Sequence, residues 1–211
     1  IGLPPQLAVG TDRLGSLVQA LTAFPNYTKA KKEVWSYIPV FMIITGLAAY
    51  LGANILIQIN TEILQRVIGV LLLLSLPILF LKPAKVKQAH KVPLLQKAVG
   101  FFNYFIISIF SGLFGTGSGP LIAYNHMYLL GMSFVQVIAT NLLPWIVLAA
   151  VSLVVFFQNG VVSLTYGVPY AVGMAIGSYV GVKFALKNEG TWIKRLFVFL
   201  VIVSGVKLLF F

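Results

Sequence analysis

Two short polar stretches in an otherwise very apolar sequence contain the residues that could do chemistry. The first reads Ser-Gly-Leu-Phe-Gly-Thr-Gly-Ser-Gly-Pro from Ser111 to Pro120. Glycines at every second position weaken a helix, whereas proline suits the first turn of a new one. Backbone amides freed at such a break, with the positive end of the next helix behind them, bind anions. The residues that we predict to bind an anion here are Gly115, Thr116, Gly117, Ser118 and Gly119.

The same glycines have a purely structural interpretation. Small residues let membrane helices approach each other closely, and these glycines could serve only that purpose. Packing glycines usually recur every fourth residue rather than every second, which favours a break in the helix.

Threonine followed by a polar residue occurs twice, at Thr140 with Asn141 and at Thr11 with Asp12, where Arg13 comes next. Polar residues in apolar helices are costly and usually face the protein interior or a pathway. The guanidinium of Arg13 can bind two oxygens of one carboxylate or sulfonate, and Asp12 could neutralise it or carry a proton. All five residues are predicted to contact the substrate. The alternative is that Asp12 and Arg13 lie at the external membrane interface, where long charged side chains reach water.

His126 and Asn125 follow the glycine-rich stretch closely. Such a pair is more often a satisfied buried group than a proton relay, which is the other interpretation. The chain has four acidic residues and no cysteine, and we find no paired carboxylates, no Ser/His/Asp set and no metal-ligand spacing. We therefore predict no catalytic residues, no metal site, no cofactor and no enzymatic activity.

The elements that must position these residues are membrane helices. Of the 211 residues, 59% are hydrophobic and only 9% are charged, and the mean hydropathy is +0.97. From Ala98 to Val182 there is no Asp, Glu, Lys or Arg. The apolar segments are continuous rather than alternating with a period of two, which indicates helices rather than a barrel. The predicted fold is all-α, a polytopic bundle in the lipid bilayer.

An internal repeat organises the predicted helices. An offset of 129 residues, the separation of Thr11 from Thr140, aligns residues 2–82 with residues 131–211 without a gap. Each copy then has three long apolar segments, at 5–25, 35–57 and 63–81 and at 133–157, 164–186 and 192–211. The second copy also has a leader, Ala98 to Leu130, and we expect a matching segment to precede Ile1. The predicted domains are residues 1–82 and 98–211 as transmembrane repeats, with residues 83–97 as a basic cytoplasmic linker.

The charges between the segments predict how the two copies are oriented. Lys29, Lys31 and Lys32 follow the first segment of copy one, whereas the loop at 158–163 of copy two is uncharged. Since positive loops stay in the cytoplasm, the copies should be inverted relative to each other. The leader must then cross an even number of times, as a re-entrant hairpin or two short paired helices broken at the glycines. Because the lysines cluster between apolar segments, we interpret the net charge of +11 as a topology signal and predict no nucleic-acid partner.

The motifs resemble those of the TauE/SafE family of sulfite and organosulfur-anion exporters. The resemblance covers nearly the whole chain and is carried by residues 2–5, 8–11, 112–115, 117, 119–120 and 139–141. Three positions depart from the usual pattern, namely Ser118, Leu142 and Asp12. The resemblance implies a duplicated membrane transporter for sulfite or an organosulfur anion, and the departures leave the cargo open.

These observations together predict a secondary transporter in the cell membrane. It would carry a small anion by alternating access, coupled to an H+ or Na+ gradient because no nucleotide site is visible. An anion channel, a non-catalytic membrane subunit or an intramembrane enzyme are the alternatives, and cation transport is disfavoured by the few carboxylates. The sequence assigns no oligomeric state.

Overall fold

The described part of the chain is α-helical. The computed structural model describes residues 3–29, 33–60, 63, 92–115 and 118–187, and no β-strand occurs among them. This confirms the predicted all-α class. The six helices are α1 (Pro5–Lys29), α2 (Ile38–Gln58), α3 (Leu94–Phe114), α4 (Gly119–Leu129), α5 (Phe134–Gln158) and α6 (Leu164–Lys187).

Three of these helices are long and apolar enough to cross a bilayer, namely α2, α3 and α5 from Val135 onward. This agrees with the predicted membrane protein. The predicted third segment of each copy, at 63–81 and 192–211, lies outside the described residues apart from Ile63, as do residues 83–91 of the predicted linker. The last four residues of that linker, 94–97, form the first turn of α3.

Helices of the first predicted copy pack against helices of the second. α1 packs against α6, α2 packs against α5, and α1 and α5 also contact each other. α2 packs tightly against α3, because a Cβ added at Gly52 would collide with the carbonyl of Ile109, and one added at Gly112 would lie 3.0 Å from the Cα of Ala49. For Gly112 the helix-packing interpretation of the glycine-rich stretch is therefore correct.

α3 and α4 lie side by side and antiparallel. The side-chain amide of Gln96, near the start of α3, donates to the carbonyl of Tyr128, near the end of α4, over 2.9 Å. Further along, Asn125 donates to the carbonyl of Gly100 over 3.0 Å. α3 is followed by Gly115, whose positive φ of 78° is adopted more readily by glycine than by residues with a side chain. The chain thus runs along the 21 residues of α3 and back along the 11 residues of α4.

A capping box begins α5 and sets the register of its polar residues. Ser133 Oγ accepts from the backbone N–H of Gln136 over 3.3 Å, and the Gln136 side chain accepts from the backbone N–H of Ser133 over 2.8 Å. Two of the free amides at the helix start are satisfied in this way. Thr140 and Asn141 follow one turn later, and both are buried.

Candidate functional site

Arg13 lies fully buried at the end of α3. Its side chain is 0% exposed, and its Nη2 donates to the carbonyl of Ser111 over 2.5 Å and to that of Gly112 over 2.8 Å. These carbonyls belong to the last turn of α3, where the helix dipole is negative, so a cation is stabilised there. The side chain of Arg13 therefore does not reach water as the interfacial alternative supposed, whereas its depth in the membrane stays a prediction.

Two of the three guanidinium nitrogens nevertheless lack a partner among the described residues. Nε and Nη1 of Arg13 are buried and make no hydrogen bond to any residue in the described ranges. The other neighbour of the cation is the ring of Phe156, whose centroid lies 6.0 Å from Cζ. Unsatisfied buried donors are costly, and donors of a charged group are more so. This part of Arg13 is thus prepared to bind an acceptor.

Gly115 brings the two predicted polar stretches together. A Cβ placed on it would lie 3.1 Å from Oδ2 of Asp12 and 3.3 Å from both Cζ and Nη1 of Arg13. The residue is buried, and a side chain here would have to push both charged groups aside by a few tenths of an ångström. The end of α3 and the Asp12–Arg13 pair of α1 therefore form one site.

The start of α4 follows Gly115 closely in the sequence. Ser118 is 0% exposed, and its Oγ makes no hydrogen bond to the residues that the structure describes. α4 begins at the next residue, Gly119, where an added Cβ would meet nothing within 4 Å. Gly119 is exposed, so the space beside the start of this helix is open. The other two predicted residues of the stretch, Thr116 and Gly117, lie outside the described residues.

Asp12 is held by two hydroxyl groups. Its Oδ1 accepts from the hydroxyl of Tyr170 in α6 over 2.7 Å, and its Oδ2 accepts from Ser16 over 3.1 Å. These donors fix the carboxylate beside Arg13 without a direct hydrogen bond between the two charged groups, as expected of adjacent residues on one helix. Nothing in the sequence singled out Tyr170, which looks like any other membrane tyrosine.

Thr11 and Thr140 each contact the opposite half of the molecule. Oγ1 of Thr11 accepts from the backbone N–H of Ser163 over 3.0 Å, and Oγ1 of Thr140 accepts from that of Val34 over 2.9 Å. Ser163 directly precedes α6, and Val34 precedes the turn that leads into α2. Both hydroxyls therefore hold the start of a helix in the other half.

Asn141 belongs to a second polar cluster, separate from Arg13. Its Oδ1 accepts from the hydroxyl of Tyr104 over 2.9 Å, and that hydroxyl lies 3.0 Å from Oγ1 of Thr45. The Tyr104 ring also packs against His126, with their centroids 4.9 Å apart. Nowhere in the described ranges do three His, Cys, Asp or Glu side chains come together as a metal ion would require.

Comparison with known proteins identifies the family. The sequence model of the sulfite exporter TauE/SafE family matches residues 1–208. The chain belongs to the TauE/SafE family. This confirms the resemblance that the sequence motifs suggested.

Curated relatives of this TauE/SafE protein are named as transporters. A probable membrane transporter protein of Haemophilus influenzae is 22% identical over 99% of this chain and 82% of its own length. The probable membrane transporter protein YunE of Bacillus subtilis is 23% identical, covering 98% of this chain and 81% of its own length. No solved structure matches the chain. The TauE/SafE protein is thus a membrane transporter, in agreement with the prediction that it is not an enzyme.

Proposed function

We propose that this TauE/SafE protein carries a small oxyanion, sulfite or an organosulfur anion, across the cell membrane by alternating access coupled to an ion gradient. The observation that carries the proposal is the buried guanidinium of Arg13. Its Nε and Nη1 lack partners among the described residues while Nη2 is anchored on α3. An oxyanion supplies the acceptors that these donors need. The family name, sulfite exporter, supports the same cargo class.

The chemistry of the site suits an anion that has lost its water. The planar guanidinium fork binds two oxygens of one sulfonate, sulfite or carboxylate group. Ser118 Oγ and the first amides of α4 add neutral donors within the same break. Asp12 lies against the same glycine and offsets part of the positive charge, which favours release over permanent binding. We propose Thr116 and Gly117 as further members of the anion site.

Two inverted halves are part of the proposal, and the reciprocal threonine contacts support them. The offset of 129 residues that pairs Thr11 with Thr140 also pairs Val34 with Ser163. Thr11 accepts from the backbone N–H of Ser163, and Thr140 accepts from that of Val34. Both the acceptors and the donors of these two hydrogen bonds are therefore equivalent positions in the alignment. α1 packs on α6 and α2 packs on α5, so the helices also pair between the two copies. Halves related by a pseudo-two-fold axis produce such reciprocity.

Coupling to an ion gradient completes the proposed mechanism. Asp12 is the carboxylate next to Arg13, and the hydroxyls of Tyr170 and Ser16 hold it in place. A proton taken up by Asp12 would leave Arg13 with its full charge and strengthen anion binding on one side of the membrane. Binding of Na+ to the same carboxylate would act in the same direction. Either ion would thus link the gradient to the occupancy of Arg13.

The test is uptake of radiolabelled sulfite, methanesulfonate and acetate by protein reconstituted into vesicles. We expect Arg13→Gln to lower kcat/KM for the transported anion at least about 100-fold, because two charge-assisted hydrogen bonds are lost. Arg13→Lys keeps the charge but not the fork, and should fall between Arg13→Gln and the unaltered protein. Lys183→Gln, at an exposed position on α6, is the control for a lost positive charge. Full activity of Arg13→Gln would remove Arg13 from the mechanism.

A further inference from the structure

His126 is a buried polar residue that the proposed mechanism leaves without a role. It lies on α4 with 0% of its surface exposed. Its ring stacks on Phe41 of α2, with the centroids 4.5 Å apart and the planes inclined by 19°, and it is tilted against Tyr104 of α3 at 4.9 Å. The imidazole is therefore held in one orientation by three helices.

Asn125 determines which nitrogen of the imidazole carries the proton. Its Nδ2 donates to the carbonyl of Gly100 over 3.0 Å and lies 3.2 Å from Nδ1 of His126. The amide cannot be turned around, because its Oδ1 would then face the carbonyl oxygen of Gly100. Nδ1 must then accept from Asn125, which leaves the proton of the neutral ring on Nε2. This Nε2–H is buried beside the side chain of Asn141, whose Oδ1 already accepts from Tyr104, and it has no well-aligned acceptor in the part of the chain that the structure describes.

The surroundings of the ring favour its neutral form. Helices α2, α4 and α5 contain no Asp, Glu, Lys or Arg, and the only one in α3 is Lys97, two turns before Tyr104. The hydroxyl of Tyr104 is the other titratable group that packs on the ring. A charged imidazolium would have no carboxylate to pair with in these helices, and its second proton would point at an amide donor. His126 is thus a fixed and uncharged hydrogen-bond donor.

One face of α3 connects this donor with Arg13. Tyr104, Ser108, Ser111 and Gly115 follow each other at spacings of four, three and four residues, so they share a face, and all four are buried. His126 packs on the first, and Arg13 binds the carbonyl of the third. Between them, Ser108 Oγ lies near the Tyr104 side chain and has no well-aligned hydrogen bond to the described residues. The rise of a helix places Tyr104 and Ser111 about 10 Å apart along the axis.

We infer that the Nε2–H of His126 is a second contact point for an oxygen of the transported anion, reached along this face of α3 from the Arg13 site. The contact is a neutral donor and does not carry a coupling proton. It needs an acceptor because a buried donor without one is destabilising, and a passing oxyanion supplies it. Lacking a charge, the contact binds the anion only briefly, as a second position on a pathway should. This inference rests on the proposed function.

The tautomer can be measured directly because the chain has only two histidines, His90 and His126. His90→Gln leaves His126 as the one histidine, and 15N-histidine labelling then reports it by solid-state NMR in vesicles. We expect a neutral ring with Nε2–H throughout the range of about pH 5 to 8. We also expect the Nε2 resonance to shift when the transported anion, whichever of sulfite, methanesulfonate and acetate it is, is added. A doubly protonated ring within this range, or no shift at an anion concentration that saturates uptake, would overturn the inference.

Two substitutions at the same position separate a donor from a proton carrier. The amide of His126→Gln places an N–H near the position of Nε2, whereas His126→Phe keeps only the ring packing. We expect His126→Phe to raise the half-saturating anion concentration about tenfold, and His126→Gln to stay within about twofold with intact coupling. Unchanged affinity in His126→Phe, or gradient-independent flux in His126→Gln, would contradict the inference. Failure of the unaltered protein to transport any of the three anions would instead overturn the proposed function.

Discussion

At the scale of single residues, Arg13 shows how a buried charge can be both stable and available. Its Nη2 neutralises the carbonyls of Ser111 and Gly112 that end α3, so the cation has local compensation even without a bound anion. Nε and Nη1 have no partner among the described residues. In the proposed mechanism, a side chain that is anchored through one nitrogen is already oriented for binding, which lowers the entropic cost of capturing the anion.

The role of Gly115 can be separated from its conformation. Gly115 and Gly160 both have positive φ, at 78° and 68°, but only Gly115 has charged side chains against its missing Cβ. Alanine at either position should destabilise the protein by about 1 kcal/mol, seen as a lower melting temperature. We expect only Gly115→Ala to reduce anion uptake, by tenfold or more, because the new methyl group displaces Asp12 and Arg13. Equal uptake by the two variants would show that Gly115 matters for its backbone alone.

The sequence predicted the members of the site better than their partners. Arg13 and Asp12 were predicted because charged residues are rare in this chain. Gly115 was predicted because it belongs to the stretch in which glycines alternate with other residues. Tyr170 and Tyr104 were missed because tyrosines are common in membrane helices, and nothing local distinguishes one that binds a carboxylate or an amide. Such contacts depend on how helices are rotated against each other, which the local pattern does not contain.

At the scale of elements, Thr11 and Thr140 act as caps supplied by a different helix. Each hydroxyl satisfies a backbone N–H at the start of the helical region opposite, a role usually played by a residue next to the helix. The predicted substrate contact of the two threonines remains a prediction. Their observed contacts instead hold α1 to the start of α6 and α5 to the chain that leads into α2.

Substitution of these threonines tests the equivalence of the two contacts. Thr11→Val and Thr140→Val each leave one backbone N–H without its acceptor, and we expect similar losses of about 1–3 kcal/mol, read as similar drops in melting temperature. Thr22→Val is the matched control, because the Thr22 hydroxyl bonds only to Val18 within its own helix. Its melting temperature should barely change. A large effect of one threonine and none of the other would contradict a symmetric arrangement.

Hydropathy predicted the helices closely but not their packing. The segments expected at 35–57 and 133–157 correspond to α2, Ile38–Gln58, and α5, Phe134–Gln158. Lipid requires long apolar helices, and their ends fall where polar or turn-forming residues begin. The pairing of α1 with α6 and of α2 with α5 was not foreseen, because apolar faces of similar composition do not specify which neighbour they meet.

At the scale of the whole molecule, the orientation of the two halves can be tested on a chain that contains no cysteine. Single replacements Ser36→Cys and Asn159→Cys lie at exposed positions before α2 and after α5. The distribution of lysines predicts that Ser36 faces the cytoplasm and Asn159 the outside. A membrane-impermeant thiol reagent added to intact cells should therefore label only Asn159→Cys, and label Ser36→Cys after permeabilisation. Labelling of both variants in intact cells would contradict inverted halves.

Family membership and the long apolar helices indicate a membrane transporter. The identity of the cargo depends on the positions of a few donor and acceptor atoms. Sulfite, sulfonates and carboxylates all present oxygens to a guanidinium, so Arg13 alone cannot rank them. In the proposed mechanism, discrimination comes from the space around Gly115 and Ser118 and from the contact at His126. The motifs indicated the class of protein, and the oxyanion cargo is our proposal.

The most direct test of the central claim is to locate a bound anion. Selenite has the shape and charge of sulfite, and its selenium gives an anomalous X-ray signal in crystals of the protein. The account predicts a selenium peak whose oxygens lie within hydrogen-bond distance of Nε and Nη1 of Arg13, next to Gly115, and no such peak in Arg13→Gln. A peak that lies elsewhere, or one at this position that survives Arg13→Gln unchanged, would contradict the account.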